Sequence, residues 1–151
     1  MDYLLKNLQL FAGTNNSSLE NAAIWISGNN VRFAGKAAEL PELPRDTIEK
    51  DLEGKFVMPG MTETHAHLSF ADASPFAIGE TLVEEATLTA VRNAKLMLGS
   101  GFTSAVSFGS TYKIDVALRE AILQGTVIGP RLLAAGRDLG ATASNLDSGG
   151  G

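Results

Sequence analysis

The chain contains no cysteine, which excludes disulfide staples, thiolate zinc sites and cysteine nucleophiles from its 151 residues. Histidine is almost as scarce: there are two, His65 and His67. No cluster of lysine and arginine occurs and the net charge is −5. A nucleic-acid surface needs a basic patch, so no such partner is expected. No apolar run approaches the roughly 20 residues of a membrane span. The opening MDYLLKNLQLF is interrupted by Lys6, Asn7 and Gln9 and is too short for a signal peptide or anchor, so no membrane partner is expected and the expected location is the cytoplasm. What is present, 44% hydrophobic and 19% charged residues, suits a globular domain able to bury a core.

The two scarce residues stand together. In Gly54–Leu68, GKFVMPGMTETHAHL, an apolar Phe56-Val57-Met58 enters a Pro59-Gly60 corner, and His65-Ala66-His67 follows. On an extended strand, residues two apart point to one face, about 6.6 Å apart along the backbone. Two imidazoles so placed can reach one ion at about 2.0–2.1 Å each. A bare H-x-H is more often two unrelated histidines. Here both histidines of the chain sit on one face at a strand end, which is where an α/β barrel keeps its active site.

The first 55 residues read as β-structure. Leu4, Leu8 and Leu10 are expected on one face of a strand, with Tyr3, Leu5 and Phe11 on the other. Ala23–Ile26 and Val31–Phe33 around Gly28-Asn29-Asn30 read as a hairpin, Pro41 and Pro44 mark a connector, and Thr47–Leu52 alternates again. After the histidines, Ser69–Gly79, with Asp72 and Pro75, is a loop. Glu80–Gly99 is predicted to be a helix from Val83, Ala86, Ala90, Ala94, Met97 and Leu98, stopped by Gly99 and Gly101. Glu84, Glu85, Arg92 and Lys95 form its solvated face, which makes Lys95 a poor metal-bridging lysine. Gly101–Gly109 is a second strand. Ile114, Ala117, Leu118, Ala121 and Ile122 mark a second helix ended by Gly125, and Leu132–Gly136 is a third strand. Gly99-Ser100-Gly101 precedes a strand instead of opening a helix, so it is no nucleotide fingerprint. The tail from Arg137 to Gly149-Gly150-Gly151 is small and polar and reads as an interruption or a flexible terminus.

GKFVMPGMTETHAHL resembles the first barrel strand of the metal-dependent amidohydrolase superfamily, whose pattern is G-K-x-V-x-P-G-x-x-D-x-H-x-H. Glu63 stands where the family usually has aspartate. Residues 118–137, LREAILQGTVIGPRLLAAGR, resemble a subgroup with imidazolonepropionase-like and prolidase-like peptidases and ochratoxin-hydrolysing amidases. FTSAVSF resembles the family's second strand, with Ser107 and Phe108 in place of a charged pair and a less polar pocket wall in consequence. The resemblance implies an α/β fold: a small β-sandwich over residues 1–55, then over residues 56–151 the first three strands and two helices of a (β/α)8 TIM barrel. It implies His65 and His67 as ligands of a divalent metal, zinc being expected, in a site of one or two ions. The implied reaction is hydrolysis of an amide or related C–N bond in a small or dipeptide-like molecule by a metal-activated water, in a homo-oligomer.

Length limits this reading. A complete barrel takes about 250 residues, and the chain offers three barrel strands and no third histidine. The family's further ligands and its general base, commonly an aspartate on the last strand, are expected outside this chain; Asp72, Asp115, Asp138 and Asp147 match no such position. The chain is therefore expected to act only with the remainder of the barrel, in the same or another polypeptide. The rival expectation is a non-catalytic scaffold of the same fold. Alone, three parallel strands with bare edges are expected to aggregate.

Overall fold

In a computed structural model the described residues are 1–14, 17–71 and 81–137. They fall into two compact units, Met1–Pro59 and Gly60–Gly151.

The first unit is a four-stranded sheet of β1 (Asp2–Leu10), β2 (Leu19–Ser27), β3 (Asn30–Lys36) and β4 (Ile48–Val57), in the order β3-β2-β1-β4. β1 pairs antiparallel with β2 and parallel with β4. The hairpin between β2 and β3 turns on Gly28 at φ 57°, a conformation glycine adopts without steric cost. The simple alternation expected for β1 does not hold. Asn7 takes φ 54° and the register slips there, so Leu5, Leu8 and Leu10 pack in one cluster with Ala22 and Ile24, and Leu4 is left out of it. A bulge inserts one residue and flips the side chains beyond it, and asparagine is among the residues that tolerate the left-handed region. The Asn7 amide donates to Asp51 Oδ1 at 2.9 Å, and the same oxygen accepts the Glu53 N–H at 2.8 Å, where β4 carries its own positive-φ pair, Glu53 and Gly54. The described residues of this unit contain one sheet and not the second layer of a sandwich. β4 runs through Val57, so Phe56 and Val57 lie in the first unit and the boundary falls at Pro59/Gly60 instead of 55/56.

The second unit is built of two consecutive β/α steps and a third strand. β5 (Met61–Ala66), α1 (Val83–Gly99), β6 (Phe102–Ser107), α2 (Ile114–Leu123) and β7 (Arg131–Ala134) follow in turn. The strands are parallel, in the order β5-β6-β7. The stretch 72–80, including Asp72, Pro75 and the expected start of the helix at Glu80, and the tail 138–151, with Asp138 and Asp147, lie outside the described residues. α1 buries Ala86, Ala90 and Ala94, one every fourth residue, against Ala66, Ala105 and Leu132 of the strands, Leu68 of the turn after β5, and Ile114 and Leu118 of α2. Small side chains let the layers come close: a Cβ on Gly129 would stand 3.0 Å from that of Ala94. α2 ends in a Schellman motif, with Gly125 at φ 73°, Gly125 N–H donating to Ile122 O at 3.0 Å and Thr126 N–H to Ala121 O at 2.9 Å.

The opposite face of this sheet is bare. Leu132, turned to the helices, is 4% exposed, whereas its neighbour Leu133 is 65% exposed and Phe108 49%. Alternation puts these on the face that a closed barrel would fill with side chains.

Candidate metal centre

His65 ends up on β5 and His67 just beyond it. Their ring centres are 5.3 Å apart with the planes inclined by 60°. A metal about 2.0–2.1 Å from one nitrogen of each ring lies about 3.2 Å from each ring centre, so at a tetrahedral angle the two centres stand about 5.2 Å apart. The separation therefore suits two ligands of one ion.

Three local devices set this geometry. First, the β5–β6 register slips between Glu63/Ala105 and Ala66/Ser107, so three steps on β5 face two on β6. Within that irregularity Glu63 Oε1 accepts the His65 N–H at 3.0 Å. A carboxylate thus satisfies a backbone donor that a regular ladder would have used, and the bulge re-aims the strand end. Second, His67 Nδ1 lies 3.3 Å from the carbonyl oxygen of Gly109, beyond β6. A carbonyl only accepts, so Nδ1 carries the proton in this contact and Nε2 keeps the lone pair that a metal requires. Third, His67–Phe70 is a turn closed by Phe70 N–H to His67 O at 3.1 Å, and Asn93 of α1 donates to the carbonyls of Leu68 at 2.9 Å and Phe70 at 3.1 Å. The turn brings Phe70 flat against His67, ring centres 4.6 Å apart and planes within 1°, while Phe108 stacks on His65 at 4.4 Å and 2°. One phenyl face thus covers each ring of the pair. A cleft of about 350 Å³ opens beside it, lined by Glu63, His65 and His67 and by Asn93, Leu96 and Met97 of α1.

Among the described residues no third His, Cys, Asp or Glu joins the pair. The donor set fits a metal as two of its ligands and leaves the others to be supplied. Lys95 is exposed on α1, as its solvated face requires. Ser69 Oγ is buried with no partner among the described residues, so an acceptor or donor for it is also still to be supplied.

The sequence model of the Amidohydrolase family matches residues 56–146. The chain belongs to the amidohydrolase family. The amidohydrolase match takes in β5, both histidines, α1, β6, α2 and β7. Ochratoxinase of Aspergillus niger is 28% identical over 132 residues, 85% of this chain and 27% of that protein. Adenine deaminase of Staphylothermus marinus is 30% identical over 91 residues, 60% of this chain and 15% of that protein. A crystal structure of a Xaa-Pro dipeptidase with bound methionine in its active site superposes with a TM-score of 0.76 at 25% identity, over 91% of this chain and 34% of that one. The ochratoxinase and Xaa-Pro dipeptidase likenesses match the imidazolonepropionase-like, prolidase-like or ochratoxin-amidase-like subgroup anticipated from residues 118–137; adenine deaminase was not anticipated. The chain spans about a quarter or less of the curated relatives and about a third of the solved one. No helix among its described residues is long and apolar enough to cross a membrane.

Asn93 was not legible in the sequence as a residue that shapes this site. It acts from α1 on the loop after β5, and only the loop's approach reveals it.

Proposed function

We propose that this amidohydrolase chain is the N-terminal part of a metal-dependent hydrolase that cleaves an amide or related C–N bond in a small or dipeptide-like molecule. The observation that carries the reading is the 5.3 Å, 60° imidazole pair at the end of β5. His65 and His67 hold one divalent metal, zinc by preference for two neutral imidazoles. When bound, the metal supplies a coordinated water of lowered pKa and polarises the substrate carbonyl. His67 is oriented for this by the Gly109 carbonyl, and Phe70 and Phe108 keep bulk water off the outer faces of the two rings. The remaining ligands, a second ion where the site is binuclear, and the general base come from later barrel strands in the same or another polypeptide. Those strands cover Phe108 and Leu133, and a later segment lays the second sheet on residues 1–59 to complete a sandwich. The assembled protein is a cytoplasmic homo-oligomer.

The test is metal content by plasma mass spectrometry and hydrolysis of N-acyl amino acids and X-Pro dipeptides by the intact protein. His65→Ala and His67→Ala should each lower zinc below half of the unmodified content and reduce turnover at least 100-fold. Full metal and full activity in both variants would sink the assignment. An intact protein that folds without metal and without activity would favour a non-catalytic scaffold.

A further inference from the structure

The first turn of α2 carries a buried carboxylate that the proposed chemistry does not use. Asp115 is 1% exposed. Its Oδ1 accepts the Ser110 hydroxyl at 3.0 Å and the Val116 N–H at 2.8 Å, and its Oδ2 accepts the Gly136 N–H at 3.0 Å. Ser110 Oγ in turn accepts the Asp115 N–H at 2.9 Å. Ser110 N–H donates to the Gly136 carbonyl at 2.8 Å. One side chain thus ties together the segment after β6, the start of α2 and the segment after β7. The position suits it, because the first turn of a helix presents free N–H groups and a favourable dipole to an anion.

The backbone held in this way is unusual. Tyr112 (φ 55°, ψ 21°) and Lys113 (φ 58°, ψ 35°) are both left-handed although neither is glycine, and Gly109 and Gly136 take φ 124° and 94°. Such conformations persist where the surroundings over-determine them, and they gather at functional sites.

The link to the histidines runs through one peptide plane. The Gly109 carbonyl and the Ser110 N–H belong to the same planar trans unit, so they point in opposite directions. Pinning the Ser110 N–H on the Gly136 carbonyl therefore aims the Gly109 carbonyl the other way, and what it meets is His67 Nδ1 at 3.3 Å. Asp115 grips both ends of that pin, the Ser110 hydroxyl and the Gly136 N–H. The geometry points to Asp115 as a positioning residue for His67: through Ser110 and Gly136 it fixes the Gly109 carbonyl, which selects the Nδ1–H tautomer and leaves the lone pair on Nε2. The consequence for metal affinity rests on the proposed metal centre; the tautomer does not.

The experiment uses the intact protein with ¹⁵N-labelled histidine, stripped of metal, at a pH where imidazole is neutral. Two-bond ¹H–¹⁵N correlation reads each ring's tautomer, and His67→Gln assigns the signal. Unmodified protein should show His67 with a protonated Nδ1. In Asp115→Asn the amide can serve Ser110 and Val116 with its oxygen only by turning its NH₂ toward the Gly136 N–H, donor against donor. That variant and the milder Ser110→Ala should shift His67 toward a mixture of tautomers. They should also weaken zinc binding about 10-fold, the lower end of the usual effect of a metal ligand's hydrogen-bonded supports. Leu118→Ala, in the same helix's buried face, is the control for lost stability alone and should move neither readout. Should Asp115→Asn fail to fold, Ser110→Ala carries the test. An unchanged Nδ1–H tautomer in every folded variant overturns the proposal whatever happens to zinc. A shifted tautomer upholds it, and if His65→Ala then retains full zinc, it is the metal-centre reading that falls.

Discussion

Asn93 offers the most direct test of how the turn after His67 is built. Its two amide protons reach the carbonyls of Leu68 at 2.9 Å and Phe70 at 3.1 Å, from a partly buried position on α1. The packing of Phe70 on His67 is held by this amide and by the turn's own Phe70 N–H to His67 O bond. Asn93→Leu keeps the volume and removes both donors. A hydrogen bond contributes about 0.5–1.5 kcal/mol net, so the two together come to about 1–3 kcal/mol, with water able to recover part of the loss at this depth. Asn93→Asp keeps the shape but turns carboxylate oxygens toward two carbonyl oxygens, and it should cost more than leucine. The assay is the urea midpoint of the intact protein, read at unchanged slope so that the shift measures stability. The His67 ring signals, read alongside, should change in both variants. A leucine variant within about 0.5 kcal/mol of the unmodified protein, or an aspartate variant no worse than leucine, would refute the reasoning, because donors would then not be what holds the turn.

Leu132 and Leu133 give a second test. Leu132→Ala should cost about 2–5 kcal/mol, as for any buried leucine. If later strands close over the bare face, Leu133→Ala should cost the intact protein about as much; a neutral Leu133→Ala would deny that covering. A third concerns acid. The Asp51 carboxyl lies below its ordinary 3.8, first because it accepts the Glu53 N–H and next because it accepts the Asn7 amide. A depressed pKa stabilises the fold above the unfolded value and loses that contribution as pH falls through the folded one. The stability gap between unmodified protein and Asp51→Asn should therefore be open at neutral pH and close below about pH 4. A gap that persists unchanged in acid would refute it.

What the sequence made legible were the features carried by a period. The two-residue spacing of His65 and His67, the four-residue spacing of Ala86, Ala90 and Ala94, and the glycine after α2 each follow from local geometry. What it hid were the places where a polar side chain is spent on distant backbone. Asn7 breaks the alternation of β1 because Asp51, 44 residues on, is there to hold it. Asp115 looks like an ordinary first-turn acid until β7 delivers Gly136 to it, 21 residues later. Asn93 has the spacing of a helix surface residue and becomes a turn clamp only when Leu68 and Phe70 reach it. The slip in β5 is of the same kind, since it appears only once β6 is laid beside it.

The strand order β5-β6-β7 repeats the order of the chain. Each new β/α step can therefore dock on the one made just before it, and no strand has to wait for a distant partner. Each pairing still spans a whole helix, and parallel pairing of that range is slow, so what the order favours is assembly step by step as a polypeptide emerges from the ribosome end first. If later strands close a barrel as proposed, β5, at the outer edge, waits longest for its second neighbour. On that reading the histidine pair would stand open to solvent until then, assembled before the wall that encloses it.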